Sequence, residues 1–299
     1  MKPDSILFMT LVGSPGEKAD ARLMIDSLRS FGGEMAGCTF WVFASDPRVA
    51  PCADLETENT RIFPLEVPAA AKGYLFGDKV AARARAEQLA PAATRSLVWV
   101  DPGCLFVGPP LLFDLGPDFE AAVRPVHIRN VGLAPGDPPG EFWKGVYAAV
   151  GSDGVRTTVE SFVDGQRIRS YFNSHAHAVN PARGLFRRWL ELFEGMIADR
   201  DFQARACPDE THQIFLFQAI FSALLVASLE PERIRILPPT YNYPLHLQGR
   251  IPADRRAAAL NDLVCFSYEQ ESIRPEALTG IQVREPLRSW LVSHLSNRP

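Results

Sequence analysis

Apolar and polar positions alternate in blocks along the first hundred residues. Four apolar runs are bounded by turn residues: "SILFMTLVG" (Ser5–Gly13), "CTFWVFA" (Cys38–Ala44), "TRIFPLEV" (Thr60–Val67) and "SLVWV" (Ser96–Val100). Runs this short and this continuously apolar predict strands covered on both faces, as in a parallel sheet. The third carries Pro64, which suits an edge or a bend. Between the first two runs, "EKADARLMIDSLRSF" places Leu23, Met24, Leu28 and Phe31 near helical spacing. Gly32-Gly33 is expected to close that helix in the left-handed conformation. "YLFGDKVAARARAEQLA" (Tyr74–Ala90) is rich in alanine and predicts a second helix leading into the fourth strand. This β-α-β opening predicts a doubly wound α/β sheet.

The remainder is less regular. "AAVRPVHI" (Ala121–Ile128) predicts another strand and "RNVGLAPGDPPGE" a Gly/Pro-rich loop. "FWKGVYAAVG" predicts a short helix, and "SYFNSHAHAVNP" alternates before the turn pair Asn180-Pro181. "LFRRWLELFEGMI" carries Leu185, Trp189, Leu192, Phe193 and Met196 on one stripe of an amphipathic helix. "PDETHQIFLFQAIFSALLVAS" opens with acids, where the helix dipole favours them, and is then apolar nearly all round, which predicts burial. "IRILPPTYNYPL" and "LVCFSY" predict late strands or extended segments. With no repeat, low-complexity tract or clear linker, residues 1–299 are expected to form one domain.

Composition narrows the class without naming a chemistry. The 299 residues are 46% hydrophobic and 22% charged, ordinary for a globular chain. A net charge of −4 gives no general reason to expect a nucleic-acid partner. The five cysteines are scattered, with no C-x-x-C pair, and no N-x-S/T sequon occurs. The amino-terminal apolar run is too short for a signal peptide. No segment approaches the roughly 18–20 apolar residues of a membrane span. The expectation is a cytoplasmic protein without a membrane span.

Chemistry enters with "SLVWVDPGCLFVGPP" (Ser96–Pro110), where a strand stops on Asp101, turns through Pro102-Gly103 and resumes. In parallel sheets ligands bind outside the carboxyl ends of the strands, which is where Asp101 falls. An Asp before Pro-Gly is also a common turn residue. Lys79 and Arg83 stand four apart on one predicted helix and could jointly cradle an anion, or be a solvated face. His127 ends a probable strand beside the Gly/Pro-rich loop. His175 and His177 alternate, a spacing that two ligands alone make weak for zinc. Asp209 and Glu210 could supply acid–base chemistry or cap the following helix.

Several of these motifs fall in one order. Lys79 precedes the key strand, "VDPGCLFVG" follows, then "YFNSHAHAVNPARGLFRRW", "DETHQ" and "ILPPTYNYP". From Ile6 to His246 the chain resembles the GT-A fold glycosyltransferases, nucleotide-diphospho-sugar transferases of the type that includes glycogenin and bacterial galactosyl- and glucosyltransferases. The resemblance implies a Rossmann-type, mostly parallel central sheet flanked by helices, with a less regular C-terminal half. It implies residues 1–110 as a nucleotide-binding half and 111–299 as an acceptor- and sugar-binding half. It implies transfer of a sugar from a nucleotide-diphosphate donor, of the UDP-sugar kind, to an unknown acceptor. Donor contacts are implied for Lys79, Arg83, Asp101, His127 and Asn173, catalytic roles for Asp209 and Glu210, and a Mn2+ or Mg2+ held by Asp101 and His246.

The chain departs from the family pattern in three places. Gly103 stands where the D-x-D motif has its second acid, and His175 replaces a glycine. "CFSYE" (Cys265–Glu269) stands where the family's late metal-binding His sits in an H-F-x-G context. Three alternatives follow: a metal held by fewer ligands, a diphosphate neutralised by Lys79, Arg83 or His127, or a decayed site that binds without turnover. A nucleotidyltransferase, which uses a related sheet, is a minor further class, since "VGSPGEKADAR" lacks a specific signature.

Overall fold

The computed structural model describes residues 5–268, 278 and 280–295. The first half runs β1 (Ile6–Val12), α1 (Pro15–Phe31), β2 (Thr39–Ala44), β3 (Thr60–Pro64), α2 (Gly77–Leu89), β4 (Ser96–Val100) and β5 (Cys104–Phe106). Then follow β6 (Ala121–Val123), α3 (Glu141–Ala149), the hairpin β7 (Thr158–Glu160) and β8 (Arg167–Arg169), and β9 (Ala176–Val179). Next come α4 (Leu185–Ala198), α5 (Arg200–Ala206), α6 (Glu210–Ser228), β10 (Ile234–Ile236), β11 (Tyr243–Pro244), β12 (Cys265–Ser267) and α7 (Leu287–Leu295).

Seven strands form the main sheet in the order β10-β6-β9-β4-β1-β2-β3. β4, β1, β2 and β3 are mutually parallel, β10 is parallel to β6, and β9 alone runs antiparallel, to both β4 and β6. The fold is therefore a mostly parallel sheet flanked by helices, with an irregular C-terminal region. The continuous apolar runs are explained by burial on both faces. Leu7, Met9 and Leu11 of β1 enter one core with α2, α4 and α6, while Ile6, Phe8 and Val12 enter another with α1. Pro64 closes the edge strand β3, where its missing N–H costs no ladder bond.

Local details differ from the sequence expectations. Gly33, at φ +55°, is the left-handed residue after α1, whereas Gly32 stays right-handed at φ −70°. The second helix begins at Gly77 rather than Tyr74, because Phe76 takes φ +62°, a conformation strained for an aromatic residue. The strand expected over Ala121–Ile128 ends at Val123. α6 corrects the membrane expectation in part. By length and composition it is apolar enough to cross a bilayer, yet 56% of that window is buried in the protein. All five cysteines are buried and unpaired.

After Asp101 the chain leaves the main sheet. A turn closed by Cys104 N–H donating to the Asp101 carbonyl (3.1 Å) delivers β5 to a second, three-stranded sheet, β11-β12-β5. The strand stops and resumes because it changes sheets.

Candidate functional site

The strand order reverses between β1 and β4: β2 and β3 extend from β1 on one side, β4 on the other. Ligands of doubly wound sheets sit in the crevice at such a point, outside the carboxyl ends of the strands. Asp101 follows β4 there and is 8% exposed. Its Oδ2 accepts from Lys79 Nζ at 3.0 Å, and its Oδ1 accepts from Trp99 Nε1 at 2.8 Å. His175 Nε2 lies 3.9 Å from Oδ2. Burial by itself pushes the Asp101 carboxyl up. The Lys79 ammonium, with His175 and Arg83, more than offsets that and holds it below the usual carboxylate value.

Asp101 and Lys79 form one wall of a cavity of about 390 Å³. The opposite walls come from the second half of the chain: His127, Asn173, His175, Gln218 and His246. The three imidazoles cluster, with ring centroids 6.2 Å apart for His127 and His175 and 6.4 Å apart for His127 and His246. Neither ring nitrogen of His127 has a hydrogen-bond partner among the described residues, nor has Nδ1 of His175. Burial pushes the His127 imidazole well down, with His175, Arg124 and His246 adding to it, so the ring is neutral. Asn173 Oδ1 accepts from the His175 N–H and from Asn242 Nδ2, both at 2.8 Å, fixing the turn that presents His175.

A second, larger cleft of about 860 Å³ opens at the carboxyl ends of β1, β2 and β3. It is lined among others by Ser45, Asp46, Leu65, Glu66 and Tyr74. Phe76 and Lys79, in the first turn of α2 and at its cap, line both spaces. Lys79, whose ammonium pairs with Asp101, thus belongs to the wall of both spaces. The Phe76 ring lies 5.2 Å from that ammonium.

The sequence expectations fare unequally. Lys79, Asp101, His127, Asn173 and His246 all line the smaller cavity. Arg83 does not, which corrects its pairing with Lys79 as a joint anion cradle. Its guanidinium is fully buried, 3.6 Å over the Trp99 ring and 5.1 Å from that of Trp189. It donates to the carbonyls of Lys79 and Ser174, both at 2.9 Å. It is a positioning residue that ties α2 to the turn before β9. Asp209 and Glu210 also lie outside the residues lining either space. Asp209 caps α6, accepting from the His212 N–H (2.9 Å) and from its ring Nδ1 (2.9 Å). His177 packs against Phe221 and Phe186 at 4.7 and 5.8 Å, away from any metal partnership with His175. Sequence reasoning missed Phe76 and Gln218. Gln218 left one signal, an amide inside the largely apolar stretch that follows the first turn of its helix.

The implied divalent cation does not fit these residues. Both Asp101 oxygens are already engaged by protein donors. Gly103 offers no ligand, and a Cβ there would lie 2.9 Å from the Tyr268 carbonyl oxygen. Among the described residues no group of three His, Cys, Asp or Glu side chains could hold a metal ion. Glu269, at the end of "CFSYE", lies outside the described residues.

Comparison with known proteins agrees with this architecture. The model of the Rhodobacterales glycosyltransferase domain matches residues 8–221. The fold is similar to that of the galactosyltransferase LgtC, solved in complex with donor and acceptor sugar analogues. That likeness has a TM-score of 0.56 and 13% identity, and covers 98% of each chain. It is also similar to WbbM, a bifunctional glycosyltransferase, with a TM-score of 0.52 and 11% identity over 99% of this chain and 50% of that one. No curated protein matches by sequence.

Proposed function

The chain belongs to the Rhodobacterales glycosyltransferase domain family, and from that premise we propose that it transfers a sugar from a nucleotide-diphosphate donor to an acceptor. One observation carries the reading: Lys79, paired to Asp101, lines both spaces at the sheet's switch point. The nucleoside occupies the 860 Å³ cleft and the sugar the 390 Å³ cavity, both within the size range of small-molecule sites. The diphosphate then lies between them, at Lys79 and the amino end of α2, where the helix dipole favours an anion. Every residue lining the cleft precedes Gly103, and most of those lining the cavity follow it. That division supports a nucleotide-binding half over residues 1–110 and a sugar- and acceptor-binding half over 111–299.

In the reaction the bond between the anomeric carbon and a diphosphate oxygen breaks, and its electron pair leaves with the diphosphate. The acceptor hydroxyl oxygen forms the new bond and gives up its proton, which the departing diphosphate or solvent takes. Negative charge therefore grows beside Lys79, whose fixed ammonium stabilises it in a largely dry site. Asp101 holds that ammonium in place and faces the cavity.

The test is a thermal-shift panel of UDP- and GDP-sugars, followed by assay of nucleoside diphosphate release. A donor at a hundred times its Kd adds about 2.7 kcal/mol of stability, a clear rise in melting temperature. No shift with any nucleotide sinks the reading. A second reading, a nucleotide-sugar-binding protein without turnover, is favoured by Gly103 in place of an acid. It predicts binding with no release of nucleoside diphosphate.

A further inference from the structure

We propose that this transferase neutralises its donor's diphosphate without a divalent cation, the Lys79 ammonium occupying the cation's place. The inference rests on the donor reading above and adds to it the source of positive charge.

Three observations converge. The first is occupancy. Asp101 presents its oxygens to Trp99 Nε1 at 2.8 Å and to Lys79 Nζ at 3.0 Å, so each oxygen already has one protein donor and the carboxylate's charge is already matched by an ammonium. The second is space. Tyr268 N–H donates to the Gly103 carbonyl at 2.8 Å, and the Tyr268 carbonyl approaches to within 2.9 Å of where a Cβ at position 103 would lie. The backbone of this turn is packed as a glycine backbone, so the missing acid belongs to the packing. The third is charge balance. A divalent cation between two carboxylates sums to zero, and Lys79 with Asp101 alone also sums to zero. In this chain Lys79 and Asp101 already balance, so a divalent cation added beside them would bring two positive charges with no second acid to offset them.

Lys79 is built to stay. Arg83 holds its backbone carbonyl at 2.9 Å, and its own side chain is 18% exposed. Around it the cavity offers neutral donors rather than carboxylates. Among the described residues His127 and His175 both carry buried ring nitrogens without protein partners, and both side chains line the cavity. Imidazole N–H groups can donate to phosphate or sugar oxygens while Lys79 supplies the charge.

The experiment is calorimetric titration of the full chain with UDP, and with GDP as a second probe, after dialysis against EDTA and again with Mn2+ or Mg2+ added. The expected result is an affinity in EDTA within about twofold of that with either metal. Lys79→Met should weaken binding about tenfold or more, and Lys79→Arg should restore most of it. Because Lys79→Met leaves the Asp101 carboxylate without its partner, the double variant Lys79→Met/Asp101→Asn serves as the folded control and should bind as weakly. Wild-type binding that is lost in EDTA, or tightened about tenfold or more by a metal, overturns the inference while leaving the donor reading intact. Lys79→Met that binds like the wild type overturns it as well. Absence of binding to both nucleotides under every condition overturns the donor reading, and the inference with it.

Discussion

Two acidic stretches each adjoin a long apolar element, and the structure treats them in opposite ways. Asp101 follows β4, is 8% exposed, and meets an indole N–H and an ammonium. Asp209 precedes α6, is exposed, and meets the N–H and ring of a residue three positions on. Both were candidates for chemistry on residue type alone. What separates them is the range of their partners. Those of Asp209 are local, the ordinary business of a helix end that must satisfy its first N–H groups. Lys79 is 22 residues distant, and fixing it beside a buried carboxylate required the fold to bring α2 against the end of β4. A buried charge pair is held at a cost in desolvation that local structure does not require. Its place in the wall of a cavity makes it the better candidate for function.

Removing Asp101 should have the largest effect. Asp101→Ala leaves Lys79 and Arg83 as cations in poorly hydrated surroundings and frees the Trp99 indole N–H. We expect a loss of about 3 kcal/mol in urea unfolding, the scale for removing one partner of a buried pair. Nucleotide binding should fall with it, since Lys79 loses its anchor. A variant as stable as the wild type, with unchanged nucleotide affinity, would reduce Asp101 to a turn residue and erase the contrast with Asp209.

Gly103 sharpens the comparison from the side of backbone geometry. Gly103→Ala places a methyl 2.9 Å from the Tyr268 carbonyl oxygen, closer than van der Waals contact allows. Either the turn or β12 must shift, at about 1–3 kcal/mol in the same unfolding measurement. Gly103→Asp, which would restore the family's second acid on paper, meets the same obstacle before any metal can use it. A Gly103→Asp protein of full stability that gained metal-dependent binding would show that the turn has slack.

The sequence was legible where periodicity decides and opaque where distant packing does. β1, β2 and β4 could be read as buried strands because all but one position in each is apolar, and α4 because Leu185, Trp189, Leu192, Phe193 and Met196 form one stripe that the structure buries. The reversed strand β9 could not be oriented from its four residues, and α5 and the β7–β8 hairpin are too short to show a period. Asp101, Lys79, His127, Asn173 and His246, candidates from the sequence, line one cavity. Arg83 misled because an i, i+4 spacing implies a shared face. The aromatic slot between Trp99 and Trp189, built from residues 16 and 106 positions further on, draws its guanidinium inward instead. His175 was visible as a departure from a family glycine and as half of an alternating pair with His177. That it opens onto the same space as His127 and His246 depends on the Asn173 turn, a tertiary fact.

The smallest expected effect tests the other side of the comparison. If Asp209 is a cap and nothing more, Asp209→Asn should be nearly silent, because an amide oxygen accepts from the His212 N–H as a carboxylate does. Asp209→Ala should lower the melting temperature by less than either change at the β4 turn, with nucleotide affinity and donor turnover kept. The informative pattern is the split between the two variants. A cap is rescued by Asn, whereas an acid that serves the sugar or the acceptor is not, since Asn cannot carry the charge or take a proton. Turnover lost in Asp209→Asn at wild-type stability would therefore bring α6 back into the site. The first turn of α6 would then have to reach the smaller cavity, whose wall the helix already supplies one and two turns later through Ile214 and Gln218.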